Sequence, residues 1–418
     1  MSHLVQDAGS YQRTVLPNGL RIVSERMPNV RSVALGVWVE AGSRDERPEV
    51  NGVSHFLEHM LFKGTDRRSA REIALAIESV GGSLNAFTTK ELSCFSAQVL
   101  DEDVELALDV LSDLLLHSTL SEADIEREKQ VILSEIRQFE ETPEEVIFER
   151  FYRVTFDGHP LAQEIHGTEE NVRRMGRQVL VDYLQEHYTA NRLVIAAAGN
   201  VEHDRLVELV SRYFDGSRRG GARVFLPVPP FQPSEDRFEH ANCQQAHVCI
   251  GGRGLPYAAE EKFPLLVLDT LLGGGMSSRL FQEVRENRGL AYSIYSFADF
   301  LADTGTFGVY AATEASSVED TVQVIHEQLD EVQTNGIPED EVERTKRQLK
   351  GSLLLGLENT GSRMSRIARM EIYLGQSVSL DEVAAAIDAV RAEEVAQVAS
   401  WLLARSNRST VILLPEAS

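Results

Sequence analysis

The sequence predicts an α+β protein in which two copies of one fold are joined by a linker. Strands and helices come in blocks rather than in strict alternation. A stretch from Asp215 to His240, with Gly216, Gly220, Gly221, Pro227, Pro229, Pro230 and Pro233, interrupts the periodic pattern near the middle of the chain. On either side of it a helix signature recurs: Ser121-Glu-Ala-Asp-Ile-Glu-Arg-Glu-Lys129 aligns without a gap with Pro338-Glu-Asp-Glu-Val-Glu-Arg-Thr-Lys346. These observations predict domains at 1–215 and 241–418 around a linker at 216–240, which a chain of 418 residues has the length to build.

The opening elements read as strands: Tyr11 to Leu16, a Pro17-Asn18-Gly19 turn, Leu20 to Ser24, and Ser32 to Glu40. In the last of these Val33, Leu35, Val37 and Val39 alternate, which predicts a sheet with one packed face. A polar loop, 42–50, leads to a helical run at 52–63. A second helix opens at Ser69 with Glu72 in a capping box and stops at Gly81. The segment 85–99 returns to strand with a turn near Thr89-Lys90, and helices follow at 102–116 and 121–139. The second half repeats this order: a strand at 246–251, helices at 263–272 and 277–287, strands at 291–297 and 305–313, then helices.

Composition excludes several classes of function. With 41 Lys+Arg against 65 Asp+Glu, the net charge of −24 repels phosphate backbones and anionic bilayers and favours a cationic partner. No run of apolar residues is long enough to span a membrane. Cys94, Cys243 and Cys249 are odd in number and form no C-x-x-C pair, so neither a disulfide framework nor a cysteine zinc knuckle is expected. Cys94, within a strand, reads as a buried free thiol. No secretory or transit signal is read at the N-terminus, and the expected location is the cytoplasm.

The motif that carries chemistry is His55-Phe-Leu-Glu-His59. On a helix His55 and His59 stand one turn apart on one face, so both imidazoles can bind one ion, with Glu58 at the edge of that face. Two neutral imidazoles suit Zn²⁺, and a catalytic zinc needs a third protein ligand and a position left for water. Glu128 and Glu135, seven residues apart on one face of the 121–139 helix, are both candidates for an acidic third ligand. In the aligned second copy they fall on Thr345 and Ser352, and the histidine motif falls on Leu272-Gly-Gly-Gly-Met276, so every candidate ligand is absent there. Gly273-Gly-Gly275 lacks the G-K-[ST] of a phosphate loop and reads as a turn; His159 and His166 read as structural.

Over nearly its whole length the chain resembles the pitrilysin/insulinase-like inverzincin metallopeptidases, in particular the short branch of mitochondrial processing peptidases and their bacterial relatives. The resemblance rests on Asn51-Gly-Val-Ser-His-Phe-Leu-Glu-His-Met-Leu-Phe-Lys-Gly-Thr65, Gly81-Gly-Ser-Leu-Asn-Ala-Phe-Thr-Thr-Lys-Glu91 and Glu126-Arg-Glu-Lys-Gln-Val-Ile-Leu-Ser-Glu-Ile136. It implies two homologous α/β-roll domains, each a mainly antiparallel sheet packed with helices. It also implies one Zn²⁺ per chain held by His55, His59 and Glu135, the last lying 76 positions beyond His59. Glu128 is then a supporting glutamate that orients a ligand, and Glu58 is the general base of peptide hydrolysis. Leu280-Phe-Gln-Glu-Val-Arg-Glu-Asn-Arg-Gly-Leu-Ala-Tyr292 is similar to the family's Arg/Tyr segment, so Arg285 and Tyr292 are expected to hold the substrate backbone and the developing oxyanion. Asn85 and Ala86 match the edge strand that receives a peptide as an added strand. The expected partner is an unfolded or short peptide, basic and presequence-like, cut inside a homodimer whose sites are completed in trans. The alternative is a non-catalytic scaffold or silent partner subunit, against which the intact set of His55, Glu58, His59 and Glu135 argues.

Overall fold

In the computed structural model, which describes residues 11–241 and 243–416, eleven strands and fourteen α-helices are formed. Three strands open the chain, Tyr11–Val15 (β1), Arg21–Arg26 (β2) and Ser32–Val39 (β3). Helices Val53–Leu61 (α1) and Ala70–Glu78 (α2) precede strands Ser83–Thr88 (β4) and Ser93–Leu100 (β5). Helices Val104–His117 (α3), Glu122–Glu140 (α4), Pro143–Thr155 (α5), Glu169–Arg174 (α6) and Arg177–His187 (α7) follow, then Leu193–Gly199 (β6) and His203–Tyr213 (α8). The rest comprises Glu235–His240 (β7), Ala246–Arg253 (β8), Lys262–Gly273 (α9), Ala291–Phe300 (β9) and Gly305–Thr313 (β10). It ends with Val318–Asn335 (α10), Glu339–Gly356 (α11), Thr360–Leu374 (α12), Leu380–Ala389 (α13), Ala392–Leu402 (α14) and Ser409–Pro415 (β11). None of the described helices is long and apolar enough to cross a membrane.

Of the described residues, the first unit comprises 11–136, 163–226 and 356–379. Its sheet has the order β1-β2-β6-β3-β5-β4, antiparallel except for the β2–β6 pair. Val33, Leu35, Val37 and Val39 join the large core that also takes Phe56, Leu57, Met60 and Leu61 of α1 and Ile132, Leu133 and Ile136 of α4. The opposite face of β3, expected to be open, is covered as well. Ala34 and Trp38 pack there with Met364, Ile367 and Ala368 of α12. Small residues allow that approach: a Cβ on Gly36 would stand 2.7 Å from Met364 Sδ. Arg13 adds a bidentate ion pair to the buried Glu371 of α12, at 2.7 and 2.9 Å.

Of the described residues, the second unit comprises 137–162, 227–241, 243–355 and 380–416. Its sheet has the order β7-β11-β8-β10-β9, antiparallel except for the β11–β7 pair. One face packs against α9, α10 and α14, and on the other Ile147 and Phe151 of α5 meet Cys249, Tyr310 and Val411.

The strand orders β6-β3-β5-β4 and β11-β8-β10-β9 are equivalent, and α4 and α11 begin at aligned positions, Glu122 and Glu339. The predicted α+β class with mainly antiparallel sheets is what forms. The compact units nevertheless differ from a division at 1–215 and 241–418. The helix after α4 buries its apolar side on the second unit's sheet, and the helix after α11 buries its own on the first. The end of the stretch read as a linker, Glu235–His240, is an edge strand; five of its six residues are polar, so no strand signal shows. The expected helix at 277–287 forms as a wider π-helical segment, Phe281–Asn287, of the kind that recurs at functional sites.

Met364 is 5% exposed, with Sδ 3.2 Å from Trp38 Nε1. Met364→Ala should therefore cost about 2–5 kcal/mol of stability. Urea unfolding followed through the emission of buried Trp38 checks this; an unchanged midpoint would mean that α12 does not secure the sheet.

Candidate active site

Helix α1 is nine residues long and presents two faces. Phe56, Leu57, Met60 and Leu61 enter the core, which turns His55, Glu58 and His59 the other way. His55 and His59 converge: their Nε2 atoms lie 3.3 Å apart. From α4, Glu135 Oε2 stands 3.2 Å from His59 Nε2 and 3.8 Å from His55 Nε2. His55, His59 and Glu135 form the one group of at least three metal-ligating side chains among the described residues, with all donor atoms within 4.8 Å of one another.

These distances fit a metal. Zinc binds imidazole nitrogen and carboxylate oxygen at about 2.0–2.2 Å, which puts two donors of a tetrahedron about 3.3–3.5 Å apart. Burial first, then the neighbouring His59 and His166, push the His55 imidazole down to about 2, so the ring stays neutral with a lone pair to give. Glu128, one helical repeat before Glu135, does not join the donors. Its Oε1 lies 3.0 Å from His59 Nδ1, and its Oε2 is 2.8 Å from Lys63 Nζ. An acceptor at Nδ1 fixes the tautomer that leaves Nε2 free for a metal.

Glu58 faces the same space. Thr88 Oγ1 donates to its Oε2 at 2.6 Å. Burial pushes the Glu58 carboxyl above the usual carboxylate range, with Glu135 adding to the rise; the Thr88 hydroxyl and His59 act against it. Thr88 ends β4, the edge strand of its sheet, where Asn85 and Ala86 also lie. Ala86 N donates to Asn85 Oδ1 at 2.9 Å.

The family model described as insulinase (peptidase family M16) matches residues 21–169, and the model for the peptidase M16 inactive domain matches 174–349. The uncharacterized zinc protease YmxG of Bacillus subtilis is 43% identical over 391 residues, covering 94% of this chain and 95% of its own. The mitochondrial-processing peptidase subunit beta of Lentinula edodes is 35% identical over 408 residues, covering 93% and 87%. The chain belongs to the insulinase (M16) peptidase family. Two solved structures share its fold at 20% identity: a peptidase M16 inactive domain from Pseudomonas fluorescens (TM-score 0.91, covering 98% of this chain and 99% of that one) and a protease from Helicobacter pylori (0.90, covering 97% and 99%).

The half of this M16 chain that matches the inactive domain holds the other two expected residues. Arg285 and Tyr292 come together in the second unit, the guanidinium 5.2 Å from the Tyr292 ring centre and 4.8 Å from that of Phe281, with Tyr292 73% exposed. Gly273 closes α9, and a turn follows before the π-helical segment, as expected of the glycine run. Cys94 is a buried free thiol. His159 is buried and accepts from Leu161 N at 3.2 Å. His166 instead lies against the site, its ring 4.7 Å from that of His55 and nearly perpendicular to it. The sequence carries no signal for this, since the two histidines are remote from each other along the chain. Thr88 and Lys63, both within the motifs, also escape sequence reasoning.

Because Glu128 touches His59 only through Nδ1, Glu128→Gln should leave the three donors in place and weaken zinc binding about 10–100-fold. Competition with a chromophoric chelator measures this; unaltered affinity would make Glu128 a partner of Lys63 alone.

Proposed function

We propose that this M16 chain is a zinc-dependent endopeptidase that hydrolyses unfolded or short peptides held as an added β-strand, with one zinc per chain. The observation that carries the reading is the convergence of two imidazoles and one carboxylate, their facing atoms 3.2–3.8 Å apart, beside a second, independently anchored carboxylate. Bound by His55, His59 and Glu135, zinc supplies Lewis acidity and a water whose pKa is lowered to about 7.

The chain's own residues do the rest. Thr88 holds one oxygen of Glu58, leaving the other to take a proton from the attacking water and return it to the leaving amine. Burial raises the proton affinity of Glu58, which favours its taking that proton. A peptide beside β4 pairs with the free edge near Asn85 and Ala86. Arg285 and Tyr292 donate to carbonyl oxygens and to the developing oxyanion. The −24 net charge favours a basic, presequence-like peptide. Both sets of residues occur in one sequence, which supports a homodimer with sites completed in trans over a heterodimer that divides them.

Glu58→Gln should keep stoichiometric zinc while cleavage of a small basic peptide falls about 10²–10⁴-fold. Near-normal turnover with zinc in place would remove Glu58 from the role of base; wild-type cleavage that persists after chelation would remove the metal. For the dimer, a Glu58→Gln chain and an Arg285→Ala/Tyr292→Ala chain should each be inactive and regain partial activity when mixed. No recovery in demonstrated mixed dimers would count against sites shared in trans.

A further inference from the structure

Helix α1 begins badly by ordinary standards. Its N-cap is Gly52, which offers no side-chain acceptor and sits at φ +98, where a side chain is strained and a Cβ would stand 2.6 Å from His166 O. The first-turn amides of a helix need partners. His55 is the third residue of α1 and so stands in that turn, whereas His59 lies a full turn further in. Fraying at this end would move one metal ligand and leave the other.

A remote carboxylate holds the turn. Glu46, 4% exposed, accepts from Gly52 N at 2.7 Å and Asn51 Nδ2 at 2.8 Å through Oε2, and from Ser54 N at 2.8 Å through Oε1. Burial raises the proton affinity of this carboxyl, and these hydrogen bonds act against the rise. Each partner is a donor, so the geometry calls for the ionised carboxylate. Among the described residues no lysine or arginine pairs with it, and the helix N-terminus serves as its counter-charge. The same cluster fastens the 163–167 loop, because Asn51 Nδ2 also donates to Glu164 O at 2.8 Å and Gln163 Nε2 donates to Glu46 O at 3.1 Å. That loop carries His166 against His55. Burying a carboxylate with no cationic side chain beside it is costly for stability alone.

We infer that Glu46 is a positioning residue for the metal site: it anchors the first turn of α1 and so holds His55 Nε2 at the spacing that a metal shared with His59 requires. This rests on the zinc reading of His55, His59 and Glu135. Glu46→Gln is the informative variant, because all three partners are donors and the amide must turn its NH₂ toward at least one of them. Glu46→Asp keeps the charge but is one methylene too short to span Gly52 N and Ser54 N together, and it serves as the second variant if the first fails to fold.

Zinc affinity by chelator competition, kcat and KM on one basic peptide, and the melting temperature of the metal-free protein separate the outcomes. A positioning role predicts that Glu46→Gln weakens zinc about 10–100-fold and lowers kcat with KM unchanged, with Glu46→Asp in between. A purely structural role predicts a lower melting temperature with zinc affinity and kcat intact, which would overturn the inference and leave the donor set standing. Wild-type protein that binds no zinc would instead overturn the donor set, and this inference with it.

Discussion

Two imidazole nitrogens held 3.3 Å apart cannot both carry protons without repelling each other, and much of the first unit can be read as a means of holding them there. Burial keeps His55 neutral, and the Glu128 carboxylate at Nδ1 selects the tautomer of His59. Helix α4 supplies both ends of that second ring. Glu128 meets Nδ1 and Glu135 meets Nε2, so two glutamates seven residues apart on one helix face bracket a single imidazole. Lys63 takes up the charge of Glu128, leaving Glu135 the carboxylate directed at the donor triangle. The relative placement of α1 and α4 is set by the apolar sides of both helices, which share one core.

The edge strand is tied to this centre through one hydroxyl. Thr88 belongs to β4 and holds Glu58 of α1, so the strand proposed to receive a peptide and the residue proposed as base cannot move independently. From Asn85 to Thr88 the strand advances about 10 Å. A peptide paired near Asn85 would therefore lie a fixed few residues from the base, and its register would be set by main-chain hydrogen bonds rather than by its side chains. Such an arrangement reads peptide backbone first and sequence second.

What the sequence discloses follows from how local each signal is. The His55, Glu58, His59 spacing is contained within one short helix and is legible because helical periodicity alone brings those side chains together. The duplication is legible because α4 and α11 keep their acidic first turns and the Glu-Arg-x-Lys that follows at matching positions. Helices α5 and α12 are amphipathic, but nothing in an amphipathic pattern names the sheet a helix will cover, so their packing on β8 and β11, and on β3 and β6, could not be read. Strand β6, Leu193–Gly199, is buried throughout and lacks the alternation that would mark it, although it is the strand between β2 and β3. His166 and Glu46 matter through tertiary contacts that no spacing encodes.

The two copies also show why chemistry can be lost from one without losing the fold. Helices α1 and α9 each bury an apolar face beneath their sheets, Phe56, Leu57, Met60 and Leu61 in one and Leu265, Val267, Leu268, Leu271 and Leu272 in the other. In α1 the opposite face bears His55, Glu58 and His59, whereas at the aligned positions of the second copy Leu272 is buried in the core and Gly275 and Met276 lie beyond the end of α9. Helix α4 buries Ile132, Leu133 and Ile136 and turns Glu128 and Glu135 toward the site, while α11 keeps Val342 in its core and has Thr345 and Ser352 at the matching places. Folding depends on the buried faces, and metal binding depends on the opposite ones. Helix α11 thus keeps a buried side without the glutamates of α4, and the second copy presents Arg285 and Tyr292 at the junction before β9 instead.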